Sequence, residues 1–182
     1  MAEQSDTGSK TASPTINYPA QVYFIRHGIA AERGTSADDD QRPLVNKGIR
    51  KTEKIAQRLV ELGLQFDGLL TSPLVRAVQT AEILCRAGAA TDYQIFQPLA
   101  PEGRLCAWLA WLADWLSPEC QSIALVGHEP ELSQWAQLLV QGTADDRWVL
   151  KKAGIIGIDI PAYTAPIGAS QLVWLAPPRF IV

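Results

Sequence analysis

The stretch "VYFIRHGIA", residues 22–30, joins an apolar run to an arginine, a histidine and a glycine. Four consecutive apolar or aromatic residues that run into a glycine are typical of a short buried strand. In an open parallel sheet, ligands bind beyond the carboxyl ends of the strands. We therefore expect a buried strand that presents Arg26 and His27 at the ligand-binding edge of a sheet.

Beyond this stretch, strand-like and helical patterns alternate along the chain. This alternation indicates an α/β sandwich with a mostly parallel sheet. No helical pattern separates the last two strands, so they can form a hairpin that makes the six-stranded sheet mixed. The strand-like runs are 21–25, 66–71, 94–96, 122–126, 155–160 and 171–175, and the helical patterns are 47–62, 72–87, 105–116 and 130–140.

Two of the helices allow more detailed predictions. In "TSP", residues 71–73, Ser72 can cap a helix whose first residue is Pro73. In "LCAWLAWLADWL", residues 105–116, leucines and tryptophans repeat at helical spacing. This second segment is too short to span a bilayer, so we expect a helix that packs on the core.

The composition is that of one globular domain. The 182-residue chain is 47% hydrophobic and 19% charged, and its net charge of -3 gives no electrostatic footprint for nucleic acid or an anionic membrane. Residues 1–19 are polar and rich in serine and threonine, so we expect a disordered tail followed by a single domain over 20–182. The three cysteines are scattered and odd in number, which favours a reduced, cytoplasmic protein.

Both histidines of the chain follow strand-like runs. His27 comes directly after the first run, and His128 follows "IALVG". Arg76 lies one turn inside a helix, and its side chain can reach back because helical side chains lean toward the N-terminus. Each histidine alone equally well suits a half-buried position bonded to a backbone carbonyl. Together with Arg26 and Arg76, however, the two histidines predict one site if the strands are neighbours.

This cluster suits a phosphoryl dianion better than a metal ion. Arginine forks bind phosphate oxygens bidentately, whereas the same arginines repel a dication and no further ligand motif accompanies the histidines. We therefore expect neither a metal nor another cofactor. A neutral imidazole is a competent nucleophile near neutral pH, so His27 can take up the phosphoryl group. Gly28 would let the backbone approach the phosphate, and a protonated His128 would stabilise its charge.

Four motifs in this order resemble the histidine phosphatase superfamily. They are "RHG" (26–28), "RPLVNKG" (42–48), "SPLVRAVQTAEIL" (72–84) and "VGHEPELS" (126–133). Their spacing is similar to that of the small phosphohistidine phosphatases of the SixA type, and the resemblance covers about residues 21–176. It implies a three-layer α/β/α fold of the phosphoglycerate mutase type. It also implies that His27 is the phosphorylated nucleophile and that Arg26, Arg76 and His128 complete the phosphate pocket.

Three further residues are weaker candidates for the site. Ser72 is more simply a helix cap than a phosphate ligand, and Thr80 more simply supports its own helix. Arg42 lies in a loop that can fold over the mouth of the site or stay in solvent. The acidic run at 38–40 is expected to keep that loop solvated.

The proton donor for the leaving group is the most open question. Relatives that cleave phosphate esters often carry an acidic residue after the "QT" helix, and here "LAPEGR" offers Glu102, which equally well suits the first turn of the next helix. An alkoxide leaving group needs that proton, whereas the P–N bond of a phosphohistidine is already labile. The interval 81–126 leaves little room for a lid, so we expect an open site that a protein-borne phosphohistidine can enter.

These features predict a metal-independent phosphatase that forms a phosphohistidine at His27. The expected substrate is a phosphohistidine on a partner signalling protein of the histidine-phosphotransfer type, with no nucleic-acid or membrane partner. Two alternatives stay open. One is a phosphatase of small phosphate esters or anhydrides, and the other is a pseudoenzyme that binds phosphorylated partners without turnover.

Overall fold

Strands and helices alternate along the chain in a computed structural model that describes residues 14–34, 37–145, 147–163 and 165–182. The strands of the described residues are β1 (Ala20–Arg26), β2 (Gly68–Thr71), β3 (Gln94–Ile95), β4 (Ser122–Gly127), β5 (Ile155–Ile160) and β6 (Gln171–Ala176). The α-helices are α1 (Asn46–Glu61), α2 (Val75–Arg86), α3 (Leu105–Trp115) and α4 (Glu131–Gln141). Short 3₁₀ turns occupy Asp39–Gln41, Gln97–Leu99 and Pro178–Phe180.

The six strands form one mixed sheet in the order β3-β2-β4-β1-β5-β6. The first four strands in sequence run parallel, whereas β5 pairs antiparallel with both β1 and β6. The predicted fold class is therefore confirmed, including the hairpin of the last two strands. The reversal at β5 matters for the site, because the chain enters β5 at the same sheet edge where β1 and β4 end.

Apolar side chains on the two faces of the sheet build two cores. Along β1, Phe24 faces the layer of α3 and α4, while its neighbour Ile25 faces the layer of α1 and α2. This alternation is the period-2 pattern of a strand that is buried on both faces. Trp108 of α3 is fully buried against Phe24, with ring centroids 5.8 Å apart. The prediction that the tryptophan-rich helix packs on the core is confirmed.

Two sequence predictions need correction. Of the expected tail over 1–19, residues 1–13 lie outside the described residues, but Ile16 is fully buried in the core because it packs beside the start of the sheet. The prediction that Ser72 caps α2 and that Pro73 is its first residue is wrong. The helix begins at Val75 with Leu74 at the N-cap position. Within the described residues, we find no helix with the length and apolar character that crossing a membrane requires.

Candidate active site

The carboxyl ends of three parallel strands meet at one edge of the sheet. Register places Arg26 of β1 beside Gly127 of β4, and Thr71 of β2 beside Val126 of β4. The residues that follow these pairs are therefore neighbours in space. The amide of His27 donates to the carbonyl of Gly127 (3.1 Å), and the His27 and His128 rings lie with centroids 5.2 Å apart.

His27 is buried and held in one tautomer. Its Nδ1 lies 2.7 Å from the carbonyl oxygen of Gly28. Because a carbonyl only accepts hydrogen bonds, Nδ1 carries the ring proton and Nε2 keeps the free lone pair. Burial, followed by the charge of nearby His128, lowers the pKa of His27 from 6.5 to about 3, although the bond to Gly28 opposes this shift. The ring is therefore neutral and fixed in orientation throughout the physiological pH range, which is the state that a nucleophilic imidazole requires.

His128 lies beside this ring and is neutral as well. Its Nε2 is 2.7 Å from the hydroxyl of Ser72. Burial, followed by the positive charges of Arg76 and Arg26, lowers the pKa of His128 to about 3. This differs from the expected imidazolium, because burial and the charges of the arginines outweigh the attraction of the Asp39 carboxylate. A phosphate dianion bound between the arginines and His128 would shift the pKa back upward by Coulomb attraction.

Four arginines line the cleft with the two histidines, and the carboxylate of Asp39 contacts Arg42 and Arg76. Arg26 donates from Nη1 to the carbonyl of Leu150 (2.9 Å). Arg76 donates to the backbone carbonyl of Asp39 (2.8 Å), and its Nη2 lies 3.3 Å from Oδ2 of Asp39. Arg42 donates from Nε to Oδ1 of Asp39 (2.6 Å). Arg42 and Arg76 are both buried, so the loop of Arg42 does fold against the site.

We expected the acidic run at 38–40 only to keep its loop in solvent. Asp39 also contacts two arginines of the site. Hydrogen bonding from Arg42, assisted by the charges of Arg42 and Arg76, lowers the pKa of the Asp39 carboxyl. Its carboxylate contacts the same guanidinium groups that a phosphate would use. An incoming anion has to compete with Asp39 for these donors.

Gly28 and Ser72 lie behind the histidines. The amide of Gly28 donates to Oγ1 of Thr80 (3.0 Å), so this N–H is already paired. A Cβ at Gly28 would overlap Oγ1 of Thr52, which gives the glycine a packing role, and its expected approach to phosphate stays a prediction. Ser72 is fully buried, and its hydroxyl bonds His128 and accepts from the amide of Leu74 (3.3 Å). Both residues support the histidines from behind.

Acidic residues line the opposite wall of the cleft, whose volume is about 590 Å³. Glu102 is exposed there at a φ of 66°, and its amide donates to Oε1 of Glu131 (3.0 Å). Glu102 precedes α3 and lies outside the first turn of that helix. The alternative that it is a first-turn residue of α3 is therefore wrong. Glu129 lines the same cleft, and burial raises the pKa of its carboxyl, although hydrogen bonds from Ser133 and the charge of Arg26 oppose this.

The sequence of the chain matches a known protein family. The family model of the histidine phosphatase superfamily (branch 1) matches residues 22–99. An uncharacterised protein of Picosynechococcus sp. is 51% identical over 138 residues, which cover 76% of this chain and 84% of that protein. The chain belongs to the histidine phosphatase superfamily.

Solved structures of two phosphatases share the fold. The protein histidine phosphatase SixA complexed with tungstate superposes with a TM-score of 0.77 at 23% identity, covering 89% of this chain and 99% of that one. The α-ribazole phosphatase of Shigella flexneri gives a TM-score of 0.69 at 18% identity, covering 87% and 96% of the two chains. At these identities the likeness establishes the fold. The chemistry of the site depends on this chain's own residues.

The structure thus brings Arg26, His27, Arg76 and His128 together, while their roles in a superfamily reaction stay predictions. Sequence reasoning missed Lys152, which lines the same cleft. The amide of Ala153 donates to the carbonyls of Arg26 (3.0 Å) and His27 (3.1 Å), and this fixes the start of β5 beside the histidines. The sequence indicated the hairpin of β5 and β6 but not the antiparallel pairing of β5 with β1, and this pairing places the start of β5 at the edge where β1 ends.

Proposed function

We propose that the protein is a phosphohistidine phosphatase that removes phosphate from a histidine of a partner signalling protein through a phosphohistidine at His27. The observation that carries this proposal is the neutral His27 ring, which is fixed with its Nε2 lone pair free beside His128 and two arginines. A nucleophile held in this way needs no base to activate it.

In the first step, Nε2 of His27 attacks the phosphorus and the P–N bond of the substrate breaks. The electron pair of that bond stays on the leaving imidazole of the partner protein. Arg26 and Arg76 hold the oxygens of the transferring group, and Arg76 exchanges Asp39 for phosphate. The negative charge of the phosphate favours protonation of His128, which then stabilises that charge.

In the second step, water attacks the phosphorus of phospho-His27. The bond between phosphorus and Nε2 breaks, its electron pair returns to the ring, and both protons of the water leave with inorganic phosphate as H₂PO₄⁻. The proton on Nδ1 stays in place in both steps, because the carbonyl of Gly28 accepts its hydrogen bond (2.7 Å). Each step is therefore an in-line displacement with little proton movement on the enzyme.

The open cleft supports a protein-borne substrate. Between β3 and β4 the chain forms a 3₁₀ turn and α3, and α3 packs on the core through Trp108, so this interval adds no helical lid over the cleft. The likeness to SixA, a protein histidine phosphatase, supports the same substrate class. The free thiols of Cys85, Cys106 and Cys120 favour a reducing compartment, and we propose the cytoplasm.

Covalent labelling tests this proposal. Incubation with radiolabelled phosphoramidate should give the wild-type chain an acid-labile, alkali-stable phosphate. The His27→Ala variant should take up no label, whereas the matched His128→Ala variant keeps the nucleophile and should be labelled more slowly. A label of the same stability in His27→Ala would refute the assigned nucleophile.

Hydrolysis of small phosphate esters is the second candidate function, and two carboxyl groups of the cleft favour it. The raised pKa of Glu129 and the exposed position of Glu102 both suit a proton donor for an alkoxide. If esters are the substrate, Glu102→Gln or Glu129→Gln should lower kcat for a sugar phosphate by about 100-fold or more. Wild-type kcat/KM should then be higher for the sugar phosphate than for a phosphohistidine protein.

A further inference from the structure

A second concave surface, which we call the basic groove, lies beside the cleft. Its volume is about 780 Å³. Among the described residues, no carboxylate lines it, although the chain as a whole has a net charge of -3. Five of its ten lining side chains are cationic: Arg26, Lys51, Lys151, Lys152 and Arg179.

Further cations surround Lys152, at the wall that the basic groove shares with the cleft. Burial, followed by the positive charges of Arg26, Arg42 and Arg76, lowers the pKa of the Lys152 ammonium. The lysine thus lies among like charges that repel its own. Such a surface attracts anionic groups, and its low-dielectric walls strengthen the attraction.

Apolar side chains line the basic groove as well. Val149 and Leu175 are 53% and 39% exposed, and Pro177 and Pro178 lie next to them. Exposed apolar groups beside cations match the core and rim of a protein interface better than they match a nucleic-acid backbone or a free phosphate. The fitting ligand therefore offers carboxylates together with at least one apolar side chain.

The basic groove is continuous with the cleft that holds His27. Arg26 and Lys152 line both surfaces, so these two side chains form the wall between them. A chain segment lying in the groove would thus begin where the transferred phosphate sits. The substrate residues next to the phosphohistidine would therefore lie against the cations of the groove.

We propose that the basic groove binds an acidic, partly apolar segment that flanks the phosphorylated histidine of the partner protein. The inference rests on the proposed function and deepens it. Substrate choice would then come from charge and apolar contact beside the phosphohistidine, while the cleft itself recognises only the phosphoryl group and the imidazole.

Peptides that contain phosphohistidine provide the test. Three peptides of equal length carry, beside the phosphohistidine, one leucine and either two glutamates, two glutamines or two lysines. At low ionic strength, wild-type kcat/KM should be about tenfold higher for the glutamate peptide than for the lysine peptide, as a few exposed ion pairs would give. Near 1 M salt the preference should disappear, because the Debye length falls to about 3 Å.

Variants then locate the preference. Lys51→Glu combined with Arg179→Glu reverses two groove charges outside the cleft and should abolish or invert the order of the peptides. The matched control, Lys54→Glu combined with Arg86→Glu, makes the same charge change on exposed positions that line neither surface, and it should keep the wild-type order. Equal turnover of p-nitrophenyl phosphate by all three proteins checks that each variant is folded.

The outcomes separate the two proposals. Wild-type turnover of all three peptides at one rate, or an unchanged order in the groove variant, would overturn the groove and leave the phosphatase intact. Hydrolysis of p-nitrophenyl phosphate with no turnover of any phosphohistidine peptide would refute the proposed substrate and the groove with it.

Discussion

The two buried histidines should make the fold sensitive to mild acid. His27 and His128 are the only histidines of the chain, and the pKa of each is lowered to about 3. In the unfolded chain their pKa values return to about 6.5. A group whose pKa is depressed on folding stabilises the protein above its unfolded pKa. That stability is lost as the pH falls from about 6.5 toward 3, because the unfolded chain takes up the protons.

The magnitude follows from the pH interval. Between pH 7.5 and 5, each unfolded histidine gains its proton while each folded one stays neutral. A difference of one bound proton changes the unfolding free energy by about 1.4 kcal/mol per pH unit. The difference acts from about pH 6.5 to 5, or about 1.5 units, so each histidine lowers the unfolding free energy by about 2 kcal/mol. The two together remove about 4 kcal/mol. This result requires only that the folded pKa values of His27 and His128 stay well below 5.

Urea unfolding at several pH values measures this loss. We expect His27→Gln to halve the acid-dependent part of the unfolding free energy, because glutamine can still donate to the carbonyl of Gly28 but does not titrate. Replacing His128 as well should remove the rest. Equal dependence on pH in the wild type and the double variant would refute the neutral, buried state of the pair and, with it, the argument for an unprotonated nucleophile.

Two further predictions concern the support of the site and the competition for its arginines. Thr80→Val should destabilise the fold by about 2 kcal/mol, because the buried amide of Gly28 loses its acceptor, whereas Thr80→Ser keeps the hydroxyl and should lose less than half as much in urea unfolding. Equal losses in the two variants would contradict that role. Asp39→Asn should lower the inhibition constant of inorganic phosphate by about threefold or more, because Arg76 is released, and Asp40→Asn should lower it less. An unchanged or higher constant in Asp39→Asn would show that Asp39 does not compete with the anion.

Much of the fold could be predicted because its signals are local. Apolar runs and helical periods identified every strand and α-helix of the described residues within a few positions, since all of them except the two-residue β3 bury at least one side chain in the core. The predicted start of α2 was wrong because serine and proline are favourable at several positions before and within the first turn of a helix. Here Pro73 lies in the turn that brings Ser72 against His128. The contact of Ser72 with His128, which follows β4, outweighed the preference of serine for a helix N-cap.

The candidate site was predictable where it depends on strand ends and unpredictable where it depends on loops. Arg26 and His128 follow from the carboxyl edge of a parallel sheet. The contact of Asp39 with Arg76 joins residues that are 37 positions apart through a 3₁₀ turn, and no periodic pattern indicates it. The raised pKa of Glu129 likewise arises from burial that only the folded chain creates.

The antiparallel strand beside β1 affects when the site becomes complete during synthesis. All four motif residues precede residue 130, yet the carbonyls of Arg26 and His27 are held by the amide of Ala153, and Leu150 holds the Arg26 guanidinium. A growing chain that ends before these residues carries every motif but lacks the backbone that fixes them. The segment from Leu150 to the start of β5 therefore has to be synthesised and folded before the contacts that hold Arg26 and His27 are complete.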